Sequence, residues 1–134
     1  MKRILVATTN QGKLSEYQSL LGDLQLELVS PDDIGVTLDV VEDGNTFEEN
    51  AIIKAKAYAK ETGLLTLADD SGLEVDVLGG KPGIHTARFG GVGLTPKERW
   101  QLLLERMKNV PFEDRTARFR CVVALSTPDG NIQT

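Results

Sequence analysis

An α/β domain built on a mixed, elongated sheet flanked by helices is the fold class that this sequence predicts. Two short, largely apolar runs, Ile4–Ala7 and Leu64–Ala68, have the character of buried strands. Helical patterns with their own start and stop signals lie between the strand-like runs, the alternation expected of α/β units. The chain has 134 residues, 40% apolar and 26% charged, and a globular chain of this size buries roughly two-thirds of its unfolded surface, so one core is feasible.

The elements follow in order. Ile4–Ala7 is the first strand and closes on Thr8, Thr9 and Asn10. From Gly12 a helix carries Leu14, Tyr17, Leu20 and Leu21 on one face and stops at Gly22. Leu24–Val29 alternates Leu24, Leu26 and Leu28 with polar residues, the two-residue period of a half-buried strand, and Pro31-Asp32-Asp33 breaks it. Thr46-Phe47-Glu48-Glu49 reads as a capping box opening a helix that runs to Thr62 and stops at Gly63. Asn50 and Lys54, four apart, share one face of it. Leu64–Ala68 and Leu73–Val77 read as two strands flanking the polar corner Asp69-Asp70-Ser71-Gly72. Glycines crowd residues 79–93, which predicts a long irregular loop. Thr95-Pro96-Lys97-Glu98 is a second capping box, and its helix continues to Asn109 with Trp100 in a packing role. Ala117–Leu125 is the last strand, with Cys121 read as a small buried hydrophobe, and Pro128–Asn131 is a turn. The strand is expected to end near an unpaired edge.

Composition excludes several classes. No stretch approaches the ~18 consecutive apolar residues of a membrane span, and fifteen Lys and Arg against twenty Asp and Glu give a net charge of −5, which does not favour a nucleic-acid partner. One cysteine cannot form an internal disulfide, and Met1-Lys2-Arg3 runs straight into a strand-like stretch, so a cytoplasmic location is expected.

Three segments can carry chemistry. Thr8, Thr9, Asn10, Gln11, Gly12 and Lys13 join a buried strand to a helix, where backbone N–H groups and a lysine attract a phosphate; a plain capped turn is the competing reading. Asp69 and Asp70 end an apolar run and point to opposite faces, so they do different jobs. With Glu42 they offer oxygen ligands to a hard divalent cation, and solvated turn carboxylates are the alternative. Arg88, in the glycine-rich loop beside His85, has the fork that binds phosphate or carboxylate, against a structural or surface role.

Together these blocks resemble the Ham1-like family of house-cleaning pyrophosphatases, of the Maf/Ham superfamily, that act on inosine and xanthosine triphosphates. The resemblance rests on Ala7-Thr8-Thr9-Asn10 with Gly12-Lys13, Thr46–Ala51 with Lys54-Ala55, Ala68–Leu73, and Pro82-Gly83 with Ala87-Arg88, in that order. It implies Mg²⁺-dependent hydrolysis of a purine nucleoside triphosphate (ITP, dITP, XTP) between the α and β phosphorus, by a homodimer. Thr8 to Lys13 and Lys54 would bind the triphosphate, Ser71 would touch substrate, Glu42 and Asp70 would hold the metal, and Asp70 would accept the proton. Asp69, Asn50 and Arg88 are further candidates. Family members are longer and carry a later Phe-Gly-Tyr-Asp-Pro region and a Ser-His-Arg triplet associated with holding the base, neither of which occurs here. Residues 1–134 are therefore expected to form one pyrophosphatase domain without the C-terminal part of the family domain. A Maf-type pyrophosphatase and an inactive nucleotide-binding or self-associating fragment are the competing readings.

Overall fold

The computed structural model describes residues 2–134. Six strands, β1 (Lys2–Val6), β2 (Leu26–Val29), β3 (Leu65–Val75), β4 (Lys81–Pro82), β5 (Ala117–Ser126) and β6 (Ile132–Gln133), form a mixed sheet in the order β2-β1-β3-β5-β6, with β4 paired to β3. Three helices accompany them: α1 (Gln11–Leu21), α2 (Phe47–Thr62) and α3 (Pro96–Arg106). This is the mixed α/β class expected. β1 pairs in parallel with β2, Ile4 opposite Leu28, and with β3, Val6 opposite Leu67. Parallel neighbours need a crossover, which α1 supplies between β1 and β2.

The chain divides into two compact units, Met1–Asp70 with Val122–Thr134, and Ser71–Cys121. The first holds the core: Leu5 and Ala7 from β1, Val29 from β2, Ala51, Ala55 and Tyr58 from α2, Ala68 from β3 and Ala124 from β5. The alanines of α2 let the helix lie close to the strands, and Tyr58 supplies the volume they lack. Ile34, Val36, Leu38 and Val40 pack on this core at every second residue although the segment is not a strand. The second unit is held by polar ties. Thr86 Oγ1 donates to the Gly83 carbonyl (2.6 Å) and accepts from the Leu73 amide (2.9 Å), while Arg99 Nη1 donates to the carbonyls of Phe89 (2.7 Å) and Gly91 (2.8 Å). The glycine-rich loop therefore contains a short strand and a helical turn, Gly83–Arg88.

Both predicted helix starts form, with one difference. Thr95 and Glu98 make the complete reciprocal box. At Thr46 only half of it forms: Thr46 Oγ1 accepts from the Glu49 amide (3.0 Å), but Glu49 Oε2 takes the amide of Asn45 (2.6 Å), one residue before the cap.

Several local expectations are corrected. The aspartate corner does not separate two strands, because β3 runs unbroken through Asp69-Asp70-Ser71-Gly72. Polar residues read as a break are tolerated in a strand whose partners satisfy the backbone. Leu24 belongs to a 3-10 turn, Gly22–Leu24, and Leu20 is 76% exposed, so the inward face of α1 is Leu14 with Tyr17 and Leu21. Cys121 is exposed because Ala117–Cys121 of β5 are exposed on both faces, burial beginning only toward Ala124, and Trp100 is 51% exposed on α3, which buries none of its residues. After the Pro128–Asn131 turn the chain adds β6 to β5, Ser126 opposite Ile132 and Leu125 opposite Gln133, so the end of the strand is paired over its last two residues.

Candidate functional site

The C-terminal end of β1 feeds directly into α1. Asn10 caps the helix, its Oδ1 accepting from the Lys13 amide (3.1 Å), and Thr8 Oγ1 accepts from the Asn10 amide (3.0 Å). The side chains of this turn are thus spent on holding the loop, and the amides at the start of α1 give it a positive electrostatic end. A Cβ at Gly12 would lie 3.1 Å from Asn10 Oδ1, so glycine keeps the cap from being crowded.

Beside this turn lies a cavity of about 270 Å³ lined by Ala7, Thr8, Thr9, Lys13, Leu38, Asp39, Val40, Glu42, Lys54, Tyr58 and Asp69. It sits at the carboxyl end of β1, just past the last paired residues of the parallel β1–β3 ladder, Val6 and Leu67. Two lysines converge on it from different helices. Lys13 Nζ is 3.0 Å from Asp69 Oδ1; Lys54 Nζ donates to the Asp69 carbonyl (2.9 Å) and pairs with Glu42 Oε1 (3.0 Å). Asp69 is nearly buried and its Oδ2 accepts from the Tyr17 hydroxyl at 2.8 Å. A buried carboxylate requires such partners.

Glu42 reaches the cavity because its segment is pinned. Asn50, 3% exposed on α2, accepts the Gly44 amide through Oδ1 (2.8 Å), and Gly44 approaches so closely that a Cβ there would stand 2.7 Å from both Asn50 Oδ1 and Glu49 Cβ. Asn50 thus acts through the loop that bears Glu42. Tyr58 donates to the Leu38 carbonyl (3.3 Å), and its phenol is held above its usual pKa by burial first and then by Glu42, Asp32 and Asp39. The carboxylates therefore give one rim of the cavity a negative field, set against the two lysines.

Of the residues singled out in the sequence, Thr8, Thr9, Lys13, Lys54, Glu42 and Asp69 come together on this wall. Gln11 and Gly12 are exposed in the first turn of α1 and do not line it. Asp70, next along β3, is half-buried with Oδ2 inaccessible to solvent, and it is not a lining residue. Ser71 and Arg88 belong to the second unit; Ser71 is half-buried, and Arg88 is exposed with Nη2 3.4 Å from His85 Nδ1. Sequence reasoning missed Tyr17, Asp39 and Tyr58. Tyr17 was legible as the residue four after Lys13 on the same helix face, and the inward series Ile34, Val36, Leu38, Val40 extends in register to Glu42.

Among the described residues, no three His, Cys, Asp or Glu side chains group closely enough to hold a metal ion by themselves. The side-chain donors on the wall are nevertheless all oxygens, the carboxylates of Asp39, Glu42 and Asp69 and the hydroxyls of Thr8, Thr9 and Tyr58, with no sulfur or imidazole, a set suited to a hard cation.

Comparison with known proteins places the chain in a family. The family model described as "Ham1 family" matches residues 4–134. The dITP/XTP pyrophosphatase of Photobacterium profundum is 52% identical over 125 residues, 93% of this chain and 63% of the relative. That of Geobacter sulfurreducens is 48% identical over 134 residues, 100% of this chain and 67% of the relative. Among solved structures, a HAM1 protein from Coxiella burnetii superimposes with a TM-score of 0.88 at 42% identity, covering 98% of this chain and 68% of that one. The chain thus spans roughly two thirds of the length of the relatives it matches. With the matched residues running from β1 to the last residue of the chain, it belongs to the Ham1 family.

Proposed function

We propose that this chain carries the phosphate- and cation-handling part of a pyrophosphatase that hydrolyses non-canonical purine nucleoside triphosphates (ITP, dITP, XTP) to the monophosphate and pyrophosphate. The observation that carries the reading is the convergence of Lys13 and Lys54 with Glu42 and Asp69 on one cavity at the start of α1. Relatives 44–52% identical bear the name dITP/XTP pyrophosphatase, which supports the same substrate class.

In this reading the triphosphate lies against Thr8, Thr9 and the first amides of α1, with Lys13 and Lys54 neutralising its oxygens. Glu42 and Asp70 are assigned to Mg²⁺ by the family resemblance; of the two, Glu42 lies on the cavity wall with Asp69, and Asp70 does not. The ion, when bound, would supply charge neutralisation on the phosphates and polarisation of the attacked phosphorus. Asp70 takes the proton of the attacking water, and Ser71 contacts substrate. Homodimer formation and cytoplasmic residence belong to the same proposal.

The test is hydrolysis of ITP, XTP and GTP by the protein, with pyrophosphate and free phosphate measured separately and Mg²⁺ withdrawn by chelation. Mg²⁺-dependent pyrophosphate release favouring ITP and XTP is expected. Release of free phosphate alone, or no preference over GTP, refutes the proposal. Light scattering checks the dimer.

A further inference from the structure

Asp69 is gripped from two sides that differ in one respect. Lys13 reaches Oδ1 and is itself a wall residue of the cavity, open to whatever enters; Tyr17 reaches Oδ2 and does not line the cavity. The two partners stand one turn apart on α1, so both reach the same carboxylate from one helix. An incoming triphosphate carries several negative charges against the single charge of Asp69, and it meets Lys13 in the cavity, so it competes directly for that ammonium. It has no such route to the Tyr17 hydroxyl. Once Lys13 turns to phosphate, its ion pair with Oδ1 is lost while the bond from Tyr17 to Oδ2 stays. Lys54, which holds the Asp69 carbonyl, lines the cavity too and is open to the same competition, so it does not replace Tyr17 as an anchor.

We propose that Tyr17 is a positioning residue for the reaction: its hydroxyl keeps Asp69, and with it this stretch of β3, in place while Lys13 leaves the carboxylate for the triphosphate. The proposal rests on the functional reading above. It divides the work between two residues of one helix, Lys13 as the exchangeable partner of Asp69 and Tyr17 as the permanent one, with no contact between Tyr17 and substrate.

Tyr17→Phe tests it, because the ring is retained and only the hydroxyl is lost. Losing one hydrogen bond to a charged group predicts a fall in kcat for ITP of about tenfold with KM within about twofold, whereas Lys13→Ala raises KM. Unchanged kcat in Tyr17→Phe overturns the proposal, and so does a raised KM with kcat unchanged, which would mean contact with substrate. A second measurement needs no turnover: thermal unfolding of the ligand-free protein. Tyr17→Phe is expected to lower the midpoint in the wild-type background and by less than half as much in Asp69→Ala, or in Asp69→Asn if the alanine variant does not fold. Equal losses in both backgrounds overturn the anchor. If the wild-type protein releases no pyrophosphate, the functional reading fails, and the anchor is judged by the unfolding cycle alone.

Discussion

Two glycine-to-alanine substitutions should act with opposite sign. At Gly44 a Cβ would stand 2.7 Å from Glu49 Cβ, on the helix that bears Asn50, and 2.7 Å from Asn50 Oδ1. Carbon atoms in contact prefer roughly 3.5–4.0 Å, so about 1 Å must be yielded by a helix backbone or by the loop. Yielding by the loop also breaks the Gly44 amide bond to Asn50. Overpacking costs about 1–3 kcal/mol and the lost hydrogen bond about 1 kcal/mol. Gly44→Ala should therefore destabilise by about 2–4 kcal/mol, which at roughly 4 °C per kcal/mol for a domain of this size lowers Tm by about 8–16 °C. Because Glu42 lies two residues away, its pairing with Lys54 should loosen too. Gly22 is the control: its φ of −60° and ψ of −26° suit any residue, and nothing lies within 4 Å of a Cβ there. Gly22→Ala should stabilise by about 0.4–1 kcal/mol through the unfolded chain. Urea and thermal unfolding of both variants decide the matter. A Gly44→Ala protein that melts at or above the wild-type temperature would refute the close approach and with it the pinning of the Glu42 loop.

Other outcomes follow from the same geometry. Lys13→Ala should weaken Mg²⁺-tripolyphosphate binding by about 10- to 100-fold, the worth of one charge-assisted contact, while leaving inosine binding unchanged; equal losses for both, measured calorimetrically, would remove Lys13 from the phosphate site. Asp70→Asn should abolish pyrophosphate release with the circular dichroism spectrum kept, and turnover at the wild-type rate would end its assignment as proton acceptor. Glu98 has a lowered pKa, first because of its bond to the Thr95 backbone and then to the Thr95 side chain. Its contribution to α3 is therefore present above the ordinary glutamate pKa and lost as pH falls through the depressed folded value, so Glu98→Gln should flatten the acid limb of the stability profile. Tyr58 shifts the other way: stability is full below the ordinary tyrosine pKa of 10.0 and lost as pH rises through the higher folded value. Tyr58→Phe should remove that alkaline loss, seen as a flatter unfolding midpoint across high pH.

Local signals carried much of the architecture. The short apolar run of β1, the Thr95–Glu98 box, the alanine-rich face of α2 and its stop at Gly63 depend on residues within a few positions of one another, so the sequence displays them directly. The residues of the Thr8–Lys13 turn, Lys54, Glu42 and Asp69 were likewise visible as types suited to a polyanion and a hard cation. What no local pattern could decide was pairing. Lys13 and Asp69 are 56 residues apart, and Lys54 meets Glu42 only because Gly44 can lie against Asn50. The strand's two-residue period says that Asp69 and Asp70 face opposite ways, but which of them joins the lysines depends on the register of β3 against β1. The exposure of Cys121 and the pairing of β5 with β6 were hidden for the same reason, since a strand's sequence does not say which neighbour covers which face. By itself the sequence determined the three helices, the apolar strand cores and the residue types of the candidate site; tertiary structure decided where β3 runs on, what pairs with β5 and which charges meet, because strand pairing and long-range electrostatic contacts are set by packing and register.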